Sequence, residues 1–199
     1  MSNVKTIGEA VSRIDGILKV TGAAQYATDF PAASMLHGFL IKSETAAGKI
    51  SEIDVSQAEK AAGVIAVLTH ENAPKLASTR GIRGGSILQD EIIDFFGESI
   101  GVVIAETFEQ ARFAAKLVKV SYQKAEAKVD FEKEKSNAFK PQQREDEVRG
   151  DVEKALQTAD FKVEETYFTP IEHHQPMAPH ATIAVWEADD KLTLYNESQ

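Results

Sequence analysis

A chain of 199 residues, 43% hydrophobic and 27% charged, is long enough to bury a real core and ordinary in composition for a globular protein. Its formal charge of −9 argues against a general nucleic-acid binder, which needs a basic face to displace counterions from phosphates. With no cysteine, the chain excludes a disulfide framework, a CxxC redox pair and any thiolate-held zinc or iron–sulfur cluster of its own.

The opening "MSNVKTIGEAVSRIDG" lacks the apolar centre of a signal peptide, and no apolar run approaches the roughly 18 residues that span a bilayer. Cytoplasmic synthesis and folding is the expectation, with periplasmic delivery by co-export with a partner as the alternative. Residues 1–34 are polar and punctuated by glycine. Asp15-Gly16 and Thr21-Gly22 read as turns around a short extended "ILKV", an arm lying across a surface rather than a helix.

From Met35 the pattern changes to alternating strands and helices. "MLHGFLIKS" and "GKISEIDV" are β-like, and "SQAEKAAG" is a short helix with Ser56 and Glu59 as a capping box and Gly63 at its end. "VIAVLT" follows as a continuous apolar run, read as a buried strand. A second passage has the same order: "SIGVVIAE" as a buried strand, a helix opened by Thr107 with Gln110 three residues on, and "VKVSYQ" as a strand. Phe108, Ala111, Ala114, Ala115 and Val118 form the apolar stripe of that helix. Short helices among mixed strands favour an α+β fold over a doubly wound sheet.

Residues 126–149 mix both charge signs without apolar periodicity and read as a solvated linker. A second unit opens at Gly150. "GDVEKALQTAD" is a helix capped by Asp151, "FKVEETYFT" a strand, and "ATIAVWEADDKLTLYN" a hairpin turning near Ala188–Asp190. Residues 150–199 are short for a domain, so the expectation is a second domain cut soon after it begins.

Two constellations bear on chemistry. His173, His174 and His180 offer imidazoles, but their HHx5H spacing matches neither the H-E-x-x-H helix nor a zinc finger, and Pro176 and Pro179 forbid a continuous helix. A turn is favoured over a metal site. "RGIRGGS" (Arg80–Ser86) offers a backbone nest for an anion, yet lacks the spacing of a phosphate loop, and a surface loop is favoured. No nucleophile–base–orienter set assembles from local motifs.

Taken together, the motifs "RIDGILKVTGAAQYATD", "LHGFLIKS", "IDVSQAEKAAGVIAVLT", "FFGESIGVVIAETFEQARFAAKLVKVSY", "GDVEKALQTAD", "YFTPIEHHQPMAPHATIAVW" and "LTLYNESQ" resemble, in order, the molybdenum-cofactor subunit of the xanthine dehydrogenase/aldehyde oxidase family. The resemblance implies an N-terminal arm over residues 1–34 and an α/β hammerhead domain over residues 18–125. A charged linker at 126–149 and the truncated start of a molybdopterin-binding domain at 150–199 would follow. It makes the histidine segment a turn and strand below the active site, with Ala178 where the family has glutamate and Ala46 and Ala47 where the family's "S-P-H-A-x-A" has its histidine.

By the same resemblance Glu197-Ser198-Gln199 stands for the family's "S-T-Q", and Gln199 is the one candidate cofactor-binding residue, its amide suited to an oxo or hydroxo ligand of molybdenum. No catalytic residue and no metal ligand is assigned to this chain, because the family's glutamate base lies further along the subunit. The complete enzyme would hydroxylate aldehydes or N-heterocycles with oxygen from water. A molybdenum–pterin cofactor would be held by the whole subunit, and iron–sulfur and FAD partner chains would carry the electrons away. Alone the chain is expected to be inactive and to hold no cofactor. A non-catalytic partner-binding or assembly module is the alternative.

Overall fold

The computed structural model describes residues 8, 10–30, 32–76, 87–140 and 147–197, which fall into two compact units. One comprises residues 35–150; the other joins residues 1–34 to residues 151–199.

The first unit is built on two small antiparallel sheets. Strands β1 (His37–Lys42), β5 (Ser99–Ala105) and β3 (Val64–Thr69) form one, with β5 in the middle. Strands β4 (Ile92–Ile93), β2 (Gly48–Asp54) and β6 (Lys119–Lys124) form the other, with β2 in the middle. Helix α2 (Ser56–Glu59) carries the chain from β2 in the second sheet to β3 in the first, and helix α3 (Phe108–Ala115) carries it back from β5 to β6. The two strand–helix–strand passages therefore exchange sheets in opposite directions, and each strand of one passage pairs antiparallel with a strand of the other.

Their inward faces make one core of Ile41, Ile50, Ile53, Ala58, Val67, Ile93, Ile100, Val103 and Ala114. Helix α3 comes close to the first sheet because its stripe is alanine: Ala111 and Ala114 are wholly buried. Phe108 of the same stripe stays at the rim, 44% exposed, edge-on to Phe39. Gly101 sits at the centre of the first sheet because a Cβ there would lie 2.9 Å from Ile41 Cδ1 and 3.0 Å from the Leu68 carbonyl.

Helix α3 begins as the sequence requires. Thr107 Oγ1 accepts from the Gln110 amide at 3.2 Å and the Gln110 side chain accepts from the Thr107 amide at 3.0 Å. Helix α2 does not use the expected Ser56–Glu59 box. Ser56 lies inside the helix, and its amide donates instead to Asp54 Oδ1 at 3.0 Å. Hydrogen bonds from Ser56, side chain first and backbone second, hold the Asp54 carboxyl below its usual value. Gly63 adopts φ +77° and its carbonyl accepts from the Glu106 amide at 2.9 Å, so the end of α2 is tied to the junction of β5 and α3 in the second passage. "VIAVLT" is an edge strand rather than a fully buried one, with Val67 and Thr69 inward and Ile65 57% exposed.

Within residues 126–149 the charged stretch forms a four-residue helix, α4 (Phe131–Glu134), opened by Asp130 accepting from the Lys133 amide, and a following 3-10 turn over Lys135–Asn137. None of their residues is buried.

The second unit is organised on a hairpin. Strands β7 (Thr182–Ala188) and β8 (Lys191–Asn196) pair antiparallel, and helix α5 (Val152–Thr158) is opened by the Asp151 carboxylate, as expected. Two expectations fail here. "ILKV" is not extended: Gly16–Val20 is a one-turn helix, α1, in which Lys19 pairs with Asp15 and the Thr21 hydroxyl donates to the Ile17 carbonyl at 2.7 Å. These local polar contacts outweigh β propensity in a segment that buries none of its residues. "FKVEETYFT" forms no strand, and Phe161, Val163, Tyr167 and Phe168 are all exposed. The segment pairs with none of the described strands, β7 and β8 pairing only with each other.

Candidate functional site

The segment singled out from the sequence runs as coil from Ile171 to Ala181 and then enters β7. Pro176 and Pro179 fix φ and remove two backbone donors, and Gln175 takes a φ of 35°, so the chain turns rather than coils into a helix. His173, His174 and His180 are exposed, and Ala178 is half-buried. Among the described residues no three His, Asp or Glu side chains converge as a metal site.

From Thr182 the alternation of β7 and β8 sorts side chains onto two faces. Ile183 faces Tyr195 and Val185 faces Thr193 on the covered side, where Ile183 is 8% exposed. Ala184 with Leu194 and Trp186 with Leu192 lie on the other side, where Trp186 is 68% exposed. The turn end is held by polar groups: Lys191 pairs with Glu187, and the Thr193 hydroxyl donates to Glu187 Oε1 at 2.7 Å. Those hydrogen bonds, from Lys191 first and Thr193 second, lower the Glu187 carboxyl.

The covered side is covered by the N-terminal arm. Residues Ala27–Asp29 form a 3-10 turn closed on itself, with the Asp29 amide donating to the Tyr26 carbonyl at 2.9 Å and the Tyr26 amide to Asp29 Oδ2 at 2.8 Å. The Phe30 ring stacks on Tyr195 with centroids 4.4 Å apart and planes 17° apart. The Ala27 amide donates to Glu197 Oε1 at 2.9 Å, and Ala27 is 3% exposed. Between turn and strand lies an open cleft of about 270 Å³, lined by Gln25, Tyr26, Ala27, Phe30 and residues 194–197. Sequence reasoning missed this junction. No local motif could signal it, because its partners stand 170 positions apart in the chain.

The other sequence candidates are placed as follows. Ala46 and Ala47 close a turn in the first unit, in which buried Ser43 donates to the Thr45 carbonyl at 2.8 Å and the Ala125 amide donates to Ala47. The Arg80–Ser86 loop and Gln199 lie outside the described residues.

Residues 21–126, more than half of the chain, match the family model described as aldehyde oxidase and xanthine dehydrogenase, a/b hammerhead domain. The chain belongs to that family. Residues 131–199 match the molybdopterin cofactor-binding domain. The fold is thus α+β: a hammerhead domain followed by cofactor-binding-domain sequence.

Family relatives run the length of the chain. The aldehyde oxidoreductase molybdenum-binding subunit PaoC of Escherichia coli is 36% identical over all of this chain and 27% of its own length. The nicotinate dehydrogenase large molybdopterin subunit of Eubacterium barkeri is 27% identical over 98% of this chain and 48% of its own length. The chain thus spans about a quarter of the first relative and about half of the second. Among solved structures, reconstituted CO dehydrogenase from Oligotropha carboxidovorans overlays with a TM-score of 0.51 at 27% identity, over 63% of this chain and 16% of that one. The aldehyde oxidoreductase from Desulfovibrio desulfuricans overlays with a TM-score of 0.50 at 31% identity, over 60% of this chain and 15% of that one.

The second family model names a molybdopterin cofactor, and no three His, Asp or Glu side chains converge among the described residues to ligate a metal directly. The histidines that could supply ligands lie on exposed coil without converging, and the arm–hairpin cleft is open, with Gln25, Tyr26, Asn196 and Glu197 as its polar lining.

Proposed function

We propose that this chain supplies the hammerhead domain and the first part of the cofactor-binding region of a molybdenum hydroxylase. The whole enzyme hydroxylates aldehydes or N-heterocycles with oxygen taken from water. The observation that carries the reading is the consecutive match of two family models, residues 21–126 and then 131–199, which leaves only residues 1–20 and 127–130 unassigned. In this reading the catalytic base and most of the pterin contacts come from the remainder of the subunit, and the 199-residue chain by itself does not turn over. Iron–sulfur and FAD chains take the electrons, consistent with the absence of cysteine here. Gln199 approaches the molybdenum ligands, donating or accepting through an uncharged amide. Assembly takes place in the cytoplasm; no described helix is long and apolar enough to cross a membrane.

The test is reconstitution. The 199-residue chain is produced alone and joined to the remaining part of a related subunit, and both are assayed for bound molybdenum and for aldehyde-dependent dye reduction. Molybdenum and activity in the joined protein alone support the reading. Activity in the short chain, or no molybdenum in a folded joined protein, overturns it. In the active form Gln199→Ala lowers turnover by about tenfold or more while molybdenum content is retained, because a hydrogen bond to a reacting centre matters most in the transition state.

One observation favours a second reading, a non-catalytic assembly module. The first unit has a closed core of its own, so it can fold and dock without chemistry. Stable co-purification with iron–sulfur or flavin chains, without molybdenum in any form of the subunit, would select it.

A further inference from the structure

The family model for the hammerhead domain begins at residue 21, which assigns the Tyr26–Phe30 turn to the first domain by sequence. Its contacts lie elsewhere. The turn belongs to the compact unit that contains residues 151–199, and three different interactions hold it there. Phe30 stacks on Tyr195, Ala27 is buried, and the Ala27 amide donates to the Glu197 carboxylate.

The geometry of that last bond is unusual for a surface glutamate. Glu197 is exposed and spans a sequence separation of 170 residues to reach a single backbone donor at 2.9 Å. The donor is the first amide of a 3-10 turn, one of the groups that a helical turn leaves without an internal partner. An acceptor carrying negative charge makes that bond stronger than a neutral one. The Asp29 carboxylate takes the Tyr26 amide, and the next amide, that of Ala27, is directed to the Glu197 carboxylate at the end of β8.

We propose that Glu197 is a positioning residue: by accepting the Ala27 amide it latches the Tyr26–Phe30 turn onto the end of β8, making the N-terminal arm a working part of the cofactor-binding unit. Phe30 and Tyr195 supply apolar area to this latch, and Glu197 fixes its register. Strand β8 leads in sequence directly to Ser198 and Gln199, so the latch holds the strand that precedes the residue assigned to the molybdenum centre. The link to Gln199 rests on the proposed function; the latch itself does not.

The experiment follows single amides of the uniformly labelled 199-residue chain by NMR-detected hydrogen exchange, with no molybdenum present. Glu197→Ala is expected to speed exchange at the Ala27 amide by about tenfold and to weaken the nuclear Overhauser contacts between the Phe30 and Tyr195 rings. Glu197→Gln, whose side-chain oxygen still accepts, is expected to restore most of the protection, which general loosening of the hairpin would not do. Amides of Thr182–Ala188 and Lys191–Asn196 report that the hairpin carrying the latch remains folded. If Glu197→Ala disorders the hairpin outright, Glu197→Asp serves instead: its carboxylate is one methylene short, so Ala27 protection is lost while the β7–β8 contacts persist. Wild-type exchange at Ala27 in Glu197→Ala, or no difference between the Ala and Gln variants, overturns the proposal. Loss of the latch with wild-type turnover in the joined, molybdenum-loaded subunit keeps it and removes only the link from the latch to Gln199.

Discussion

The two units differ in how they satisfy the same kinds of element. In residues 35–150, each strand–helix–strand passage closes against the other, and Ile93 and Val103 are sealed to 2% and 0% exposure. In residues 151–199 joined to the arm, one strand pair carries the structure, and Ile183 and Ala27 are the buried hydrophobic residues among those described. Helix α5 is capped by Asp151, through one bond where α3 has a reciprocal pair, and it buries nothing. A good cap starts a helix; only a facing apolar surface makes that helix matter to stability.

Hydrogen exchange should draw the contrast most sharply. Amides of β3 and β5 are expected to exchange at least about a hundredfold more slowly than those of residues 161–170, whose backbone lacks a ladder. Uniform protection along the chain would erase the distinction.

Core truncation comes next. Ile93→Ala removes a side chain that is 2% exposed and should cost about 3 kcal/mol in urea unfolding of the first unit, through lost burial and the cavity left behind. Leu192→Ala, at a position 41% exposed on the open face of the hairpin, should cost about 1 kcal/mol or less. Equal costs would mean the hairpin face is covered in solution.

Gly63→Ala tests the joint between the two passages. The backbone there has φ +77°, and an added Cβ would fall 2.2 Å from Gln110 Nε2, displacing the side chain that caps Thr107. A loss of roughly 2 kcal/mol is expected from the backbone and the cap together. Thr107→Ala alone should cost about 1 kcal/mol, whereas Asp151→Ala should reduce helicity at α5 with little change in the main unfolding transition.

The smallest effect is electrostatic. Glu187 has its carboxyl lowered from 4.5 in the folded hairpin, chiefly by Lys191 and then by Thr193. A depressed folded value means that the contribution is present above pH 4.5 and is lost as pH falls through the lower folded value. A carboxyl carbon NMR titration should therefore place the Glu187 midpoint below that of Glu187 in a Lys191→Ala, Thr193→Ala chain. Coincident midpoints would remove the turn-end contacts from the account. Asp54, lowered by Ser56 at the start of α2, offers the matching titration in the other unit.

Thr107 with Gln110, Asp151, the alternation of β7 and β8, and the strands of both passages were legible in the sequence, because caps, turns and period-two patterns act within a few residues. The order of motifs also carried the family. Packing decided which strand became central and which an edge, so that β5 is buried while β3 exposes Ile65. It decided that "FKVEETYFT" joins none of the described strands and stays coil, and that "ILKV" curls around an Asp15–Lys19 pair. It also joined Ala27 to Glu197 across a separation of 170 residues. Such choices depend on which surfaces meet after the chain has folded, and a hydrogen bond or a buried face is worth its free energy only when its distant partner arrives.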